Sequence, residues 1–247
     1  MSKQWVLVRG IMSESYHWWD FLPQLQAHFP DDVIHTADII GNGRNFQMTT
    51  PTDIQGNLQG LRSQVPADGK KILVGFSLGG MLSLEWAHYH PEEVEAVILI
   101  NCSLNNSPFY KRIKPSSVAK ILKSSLTKDL HQREQMILRM TTTGLSAESI
   151  SEIAHKWGAR GKEYPVQAMN FLWQIFVAAK IPQRAAPPKP VLILNSEKDQ
   201  VVHPDCSAKI AKTWGLPLVR HPEAGHDLTL DDPQWVLNQI NTFLMSL

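Results

Sequence analysis

Residues 75–79 read Gly-Phe-Ser-Leu-Gly, and they fall where an apolar run, KILVG (71–75), gives way to a helical pattern, LGGMLSLEWAHY (78–89). A serine hydroxyl becomes a useful nucleophile when a base takes its proton and an acid orients that base. G-x-S-x-G between a strand and a helix is the sequence form of a nucleophile elbow, a tight turn that lifts the serine to the sheet's edge. The flanking glycines keep strand and helix from colliding, and the helix N-terminus favours negative charge developing beside Ser77. The elbow itself offers the N–H of Leu78 as one donor to an oxyanion.

The partners that such chemistry needs lie far along the chain. VLILNSEKDQVVHP puts Asp199 just after an apolar run, and PLVRHPEAGHDL puts His226 behind Gly225, after the next run. Glu197 sits too near the strand end to curl back, and Asp205, behind Pro204, suits an N-cap. His221 belongs to the end of the last strand, and His203 follows the acid too closely to occupy a loop of its own. Asp227 reads as a surface or helix-approach residue. The order is therefore Ser77, Asp199, His226.

Six short apolar runs must carry these groups: 5–8, 33–38, 71–75, 96–101, 191–195 and 217–221. Several lack the alternation of a half-wetted strand and so suit strands buried on both faces. Helical patterns at about 18–28, 53–64, 78–89, 205–214 and 233–246 alternate with them. That rhythm predicts an α/β fold with a mostly parallel central sheet flanked by helices. Strand ends in such a sheet share one edge, where ligands bind.

The 247 residues suffice for one large domain, with 43% hydrophobic and 19% charged residues and a net charge of +1. That balance excludes bulk attraction to nucleic acid, and no run approaches the roughly 20 apolar residues of a membrane span. The two cysteines, Cys102 and Cys206, have no metal-ligand spacing. The chain reads as a cytoplasmic protein without a signal peptide, cofactor or metal. His88 and His90 suit a helix C-terminus better than a metal site, and Cys102 suits a buried, inert thiol.

Between Asn101 and Val191 the pattern is helical throughout and ends in AAPPKP. A separate domain and a lid over the sheet edge both fit. The lid, at about 104–186 within a single domain spanning 1–247, fits the continuous sheet on either side better.

From WVLVRG through the elbow to GHDL and the last helix, the chain resembles the α/β-hydrolase family, esterase-like serine hydrolases included. The resemblance implies a short N-terminus lacking that fold's first two strands, with Arg9-Gly10 where the family commonly has His-Gly. It also implies that Ile11, or else Met12, supplies the second oxyanion amide beside Leu78. The activity implied is hydrolysis of a small carboxylic ester or thioester through an acyl-enzyme, with Ser77, His226 and Asp199 as the triad. Other reactions on the same fold stay open: carbon–carbon bond hydrolysis, cofactor-free haloperoxidase chemistry, hydroxynitrile cleavage, or ligand binding without catalysis.

Candidate pocket residues are Met12, Trp18, Phe76, Phe109 and Trp173. Trp18 and its neighbour Trp19 fit a cleft border or the buried face of the first helix equally well. Between Lys111 and Arg139 stand eight basic residues and two acidic ones. They suit a solvated helical face, or a surface that attracts an anionic substrate or membrane.

Overall fold

The computed structural model describes residues 2–247. Six strands, β1 (Gln4–Val8), β2 (Val33–Ala37), β3 (Lys71–Phe76), β4 (Val94–Ile100), β5 (Val191–Ser196) and β6 (Val219–His221), form one sheet in the order β2-β1-β3-β4-β5-β6. Every pairing is parallel. The expected α/β architecture is thus the observed one. Strand order reverses between β1 and β3, which opens the crevice where parallel sheets bind ligands.

Strand alternation divides the core into two layers. Val6, Val8, Leu73, Val97, Leu99 and Ile193 face one side, against α2 (Ile54–Arg62), α3 (Leu78–Tyr89) and α9 (Asp205–Trp214). Trp5, Leu7, Ile72, Val74, Ile98 and Ile100 face the other, against α1 (Phe21–His28) and α11 (Pro233–Met245). A parallel sheet covered in this way needs apolar residues at both parities, and β3 is buried along its whole length.

Five helices lie between β4 and β5: α4 (Phe109–Arg112), α5 (Pro115–Ser125), α6 (Leu130–Thr141), α7 (Ala147–Glu163) and α8 (Ala168–Lys180). Leu138 of α6 and Ile150, Ile153, Ala154 and Trp157 of α7 form a small cluster completed by Leu230, from the short α10 (Leu228–Asp231). The first helix differs modestly from its predicted range. Residues 15–18 form a 3-10 turn and α1 starts only at Phe21, because Trp19, at φ 48°, breaks the run. No helix among the described residues is long and apolar enough to cross a membrane.

Candidate active site

The elbow forms where its spacing places it. Ser77 has φ 53° and ψ −120°, a conformation few non-glycine residues adopt, between the end of β3 and the start of α3. Its N–H donates to the Ile100 carbonyl at 2.9 Å, so β4 helps to hold the strain. A Cβ on Gly75 would lie 2.3 Å from Gly80 Cα, and one on Gly79 would lie 2.2 Å from the Val8 carbonyl oxygen. These contacts are why small residues flank the serine. Gly10 is tight for the same reason, since a Cβ there would come within 3.1 Å of Ser77 Cβ.

Asp199 and His226 meet. His226 Nδ1 and Asp199 Oδ2 are 2.7 Å apart, and both side chains are buried. The other carboxylate oxygen, Oδ1, accepts the N–H groups of Val201 at 2.7 Å and Val202 at 2.9 Å, which fixes the acid's orientation. The insertion steadies this loop from outside: the Lys114 ammonium donates to the Asp199 carbonyl, and Ser117 Oγ donates to that of Gln200 at 2.5 Å.

The base's own loop is gripped on three sides. Asn101 Nδ2 donates to the His226 carbonyl at 2.6 Å, Asp227 N–H to the Thr141 carbonyl at 2.7 Å, and Gly225 N–H to Asp231 Oδ2 at 2.7 Å. No hydrogen bond joins Ser77 Oγ to His226 among the described residues. The imidazole lies beside the ring of Phe76, the residue before the serine, with centroids 4.8 Å apart.

The competing acids and histidines are engaged elsewhere. Glu197 pairs with Arg220, His221 with Asp232, and Asp205 with Lys111. Asp205 is the first residue of α9 rather than its N-cap, a position that Pro204 takes. Burial pushes the Cys102 thiol up to about 12, so it carries no thiolate near neutral pH.

Two residues that line the cleft with Ser77 have backbone N–H groups without an acceptor among the described residues. Leu78 N–H stands at the first position of α3 and so has no intrahelical acceptor. Ile11 N–H has no acceptor among the described residues, whereas Met12 N–H donates to Gln174 Oε1 at 2.9 Å. Met12 is therefore committed to α8.

A cleft of about 460 Å³, its open mouth included, has Ser77 in its wall. Ile11, Leu78 and Phe109 line it, with Ile175, Ala178 and Ala179 from α8, and Arg112 contributes its one charge. Four of the five predicted pocket side chains lie outside that lining. Trp18 packs in the core against Phe21, and Phe76 is buried against His226. Met12 belongs to the loop that Gln174 holds, and Trp173 stands beside Phe176 on α8. Phe109 alone of the five lines the cleft.

Asp227 is buried rather than at the surface. It accepts from both terminal nitrogens of Arg9, at 3.2 and 2.5 Å, and the guanidinium carbon lies over the rings of Phe76 and Trp18, 4.4 and 5.0 Å from their centroids.

A match to the alpha/beta hydrolase family model runs over residues 5–239. The chain belongs to the alpha/beta hydrolase family. Among curated relatives of this alpha/beta hydrolase, the pimeloyl-[acyl-carrier protein] methyl ester esterase of Klebsiella pneumoniae is 24% identical over 89% of each chain. The enzyme of that name from Edwardsiella ictaluri is 32% identical, over 40% of this chain and only 36% of its own length. A crystal structure of a hydrolase from Pseudomonas aeruginosa superposes with a TM-score of 0.76 at 19% identity, covering 98% of this hydrolase and 90% of that chain.

Asn101, Gln174 and Asp231 belong to no motif in the sequence, where Arg112 is only one charge of a basic run. An asparagine directly after an apolar strand is a local signal for Asn101, whose φ is 52°. For the others the signal is weaker, because their partners are remote in sequence.

Proposed function

We propose that this hydrolase cleaves a small carboxylic ester or thioester through an acyl-enzyme on Ser77. The observation that carries the reading is the 2.7 Å contact between His226 Nδ1 and Asp199 Oδ2, at the same sheet edge as the strained Ser77. A carboxylate whose other oxygen is held by two backbone N–H groups accepts from the imidazole at Nδ1, which leaves Nε2 free to act as a base.

Ser77 Oγ attacks the ester carbonyl while His226 takes its proton, and the Leu78 and Ile11 amides receive the oxyanion. The Ser77–His226 hydrogen bond closes in the substrate complex, as catalytic hydrogen bonds commonly do. The histidine returns the proton to the leaving alcohol or thiol, then activates the water that frees the acid. The cleft is small and its lining is mostly apolar, so a short acyl group suits it. The helices between β4 and β5 act as its lid. The relatives named for cleaving methyl esters support an ester as the reacting group.

Labelling by a fluorophosphonate probe, beside turnover of esters of several acyl lengths, tests the reading. Wild type should label and turn over short esters, and Ser77→Ala should do neither. A folded wild type that neither labels nor turns over esters would overturn it.

A further inference from the structure

Arg112 stands out among the arginines. Arg9, Arg44, Arg62, Arg133, Arg160, Arg184 and Arg220 each pair with a carboxylate. Arg139 is exposed on α6, where water serves it. Arg112 is half-buried, and no carboxylate reaches it among the described residues. Nη2 donates to the Ala178 carbonyl at 2.5 Å, in the last turn of α8 where such carbonyls lack helical partners. That contact gives Arg112 a structural duty but leaves most of its five donors over. Nε is buried with no hydrogen-bond partner at all.

A half-buried cation with an unpartnered donor is costly to keep, and an apolar side chain would fill the same wall at lower cost. Burial lowers the pKa of Arg112 from its usual value. A guanidinium stays protonated in proteins regardless, so the cleft wall carries a standing positive charge. The wall it belongs to is otherwise apolar, apart from the hydroxyls of Ser77 and Ser103. The rest of the basic run does not share this position. Lys111 is held by Asp205, Lys114 by the Asp199 carbonyl and Lys120 by Gln200.

Resting on the reading of Ser77 as an ester-cleaving nucleophile, we propose that Arg112 is an anion subsite in the cleft, so that the preferred substrate is a short ester carrying its own carboxylate. Within a small cleft the carboxylate meets Arg112 while the ester carbonyl meets Ser77. The planar fork matches a carboxylate's two oxygens, and a hydrogen bond between charged groups is stronger than one to a neutral polar group. An apolar chain between ester and carboxylate suits a cleft lined also by Ile11, Ile113 and Ile175.

The test is kcat/KM by pH-stat for two matched pairs: monomethyl glutarate against methyl pentanoate, and butyryloxyacetate against propyl butyrate. The first pair puts the carboxylate on the acyl side, the second on the leaving side. Wild type should prefer the charged member of one pair by roughly 10- to 100-fold, the factor a charge-assisted hydrogen bond supplies. Arg112→Met should bring that ratio close to one, and Arg112→Lys should leave it in between, because it keeps the charge and loses the fork. Rates are referred to the fraction of each sample that a fluorophosphonate titrates, so damage to folding cancels from the ratio.

A wild type that labels and turns over neutral esters without preferring either charged ester overturns the anion subsite and leaves the Ser77 reading standing. A ratio that Arg112→Met leaves at the wild-type value does the same, and reduces Arg112 to a cap on α8. A wild type that neither labels nor cleaves any of the four esters overturns the Ser77 reading itself.

Discussion

Gln174 Oε1 accepts the N–H of Met12 at 2.9 Å, joining α8 to the loop after β1. The same amide donates through Nε2 to Asn42 Oδ1 at 2.8 Å, and Gln174 is fully buried. Ile11, whose N–H is proposed to hold the oxyanion, directly precedes Met12, so Gln174 is a positioning residue for that amide. Gln174→Leu should cost about 1–3 kcal/mol of stability, because it leaves buried polar groups unpaired. It should also lower kcat more than it changes KM, up to the roughly 10²–10³-fold of a lost oxyanion donor. Gln174→Glu keeps an acceptor for Met12 and should retain more of kcat. A kcat/KM split measured on both variants, beside their melting temperatures, separates positioning from plain destabilisation.

Asp199→Asn should leave the fold intact and nearly abolish turnover. The amide oxygen still accepts from Val201 and Val202, but the amide NH₂ then faces His226 Nδ1. That facing favours the tautomer with its proton on Nε2, which cannot take the serine's proton. The fall in kcat should be on the order of 10⁴-fold, as for a serine-protease triad changed in this way. Single-turnover kinetics on a short ester would measure it, and a fall of less than tenfold would remove Asp199 from the mechanism.

Gly75→Ala tests whether the elbow's tightness is required. The added Cβ would lie 2.3 Å from Gly80 Cα and 2.6 Å from Gly80 N, both backbone atoms, so α3 must shift bodily. Overpacking of this kind costs about 1–3 kcal/mol, and the shift should displace Ser77 and the Leu78 amide together. Gly144→Ala is the control, since its Cβ would come no nearer than 3.5 Å to any neighbour. Urea midpoints and fluorophosphonate labelling rates should fall for the first variant and stay within error for the second.

The parts of the site legible in the sequence are those that local spacing dictates. An elbow needs its glycines two residues either side of Ser77, and Asp199 and His226 must sit in the loops that follow successive strands. The remaining parts depend on contacts between residues far apart in the chain. Arg9 and Asp227 are separated by 218 positions, and Gln174 and Met12 by 162. No pattern of types along the chain marks such a pair, so Asp227 reads as a surface or helix-approach acid. It does stand at the N-cap of the short α10, but its burial shows only once Arg9 is seen beside it. Trp18 shows the limit from the other side. A tryptophan after a loop suits a cleft or a core equally, and packing against Phe21 and Arg9 decides for the core. The basic run likewise resolves only in three dimensions: Lys114 and Lys120 hold the acid's loop, Arg112 lines the cleft, and Lys123, Lys128 and Arg139 stay exposed.

The Arg9–Asp227 pair makes the last prediction, in which stability and pH are coupled. Burial by itself would raise the Asp227 pKa, but the Arg9 charge and hydrogen bonds, with one from Thr229, outweigh it and hold the carboxyl below its usual value. A depressed carboxylate pKa stabilises the fold above the unfolded value, about 3.9. That contribution is lost as pH falls from there through the folded value. Arg9→Met keeps most of the packing against Phe76 and Trp18 but strands Asp227 as an unpaired buried carboxylate. The single change should therefore cost about 3–5 kcal/mol at pH 7. With the Arg9 charge and hydrogen bonds gone, desolvation outweighs the Thr229 hydrogen bond that remains, so the Asp227 pKa should rise. The variant should then gain stability relative to wild type as the buffer is acidified. Arg9→Met combined with Asp227→Leu removes both charges and should recover most of the loss. Urea unfolding of the three proteins at pH 7 and pH 5 checks both signs. A single variant that loses as much at pH 5 as at pH 7 would show that packing, and not the buried charge, sets the cost.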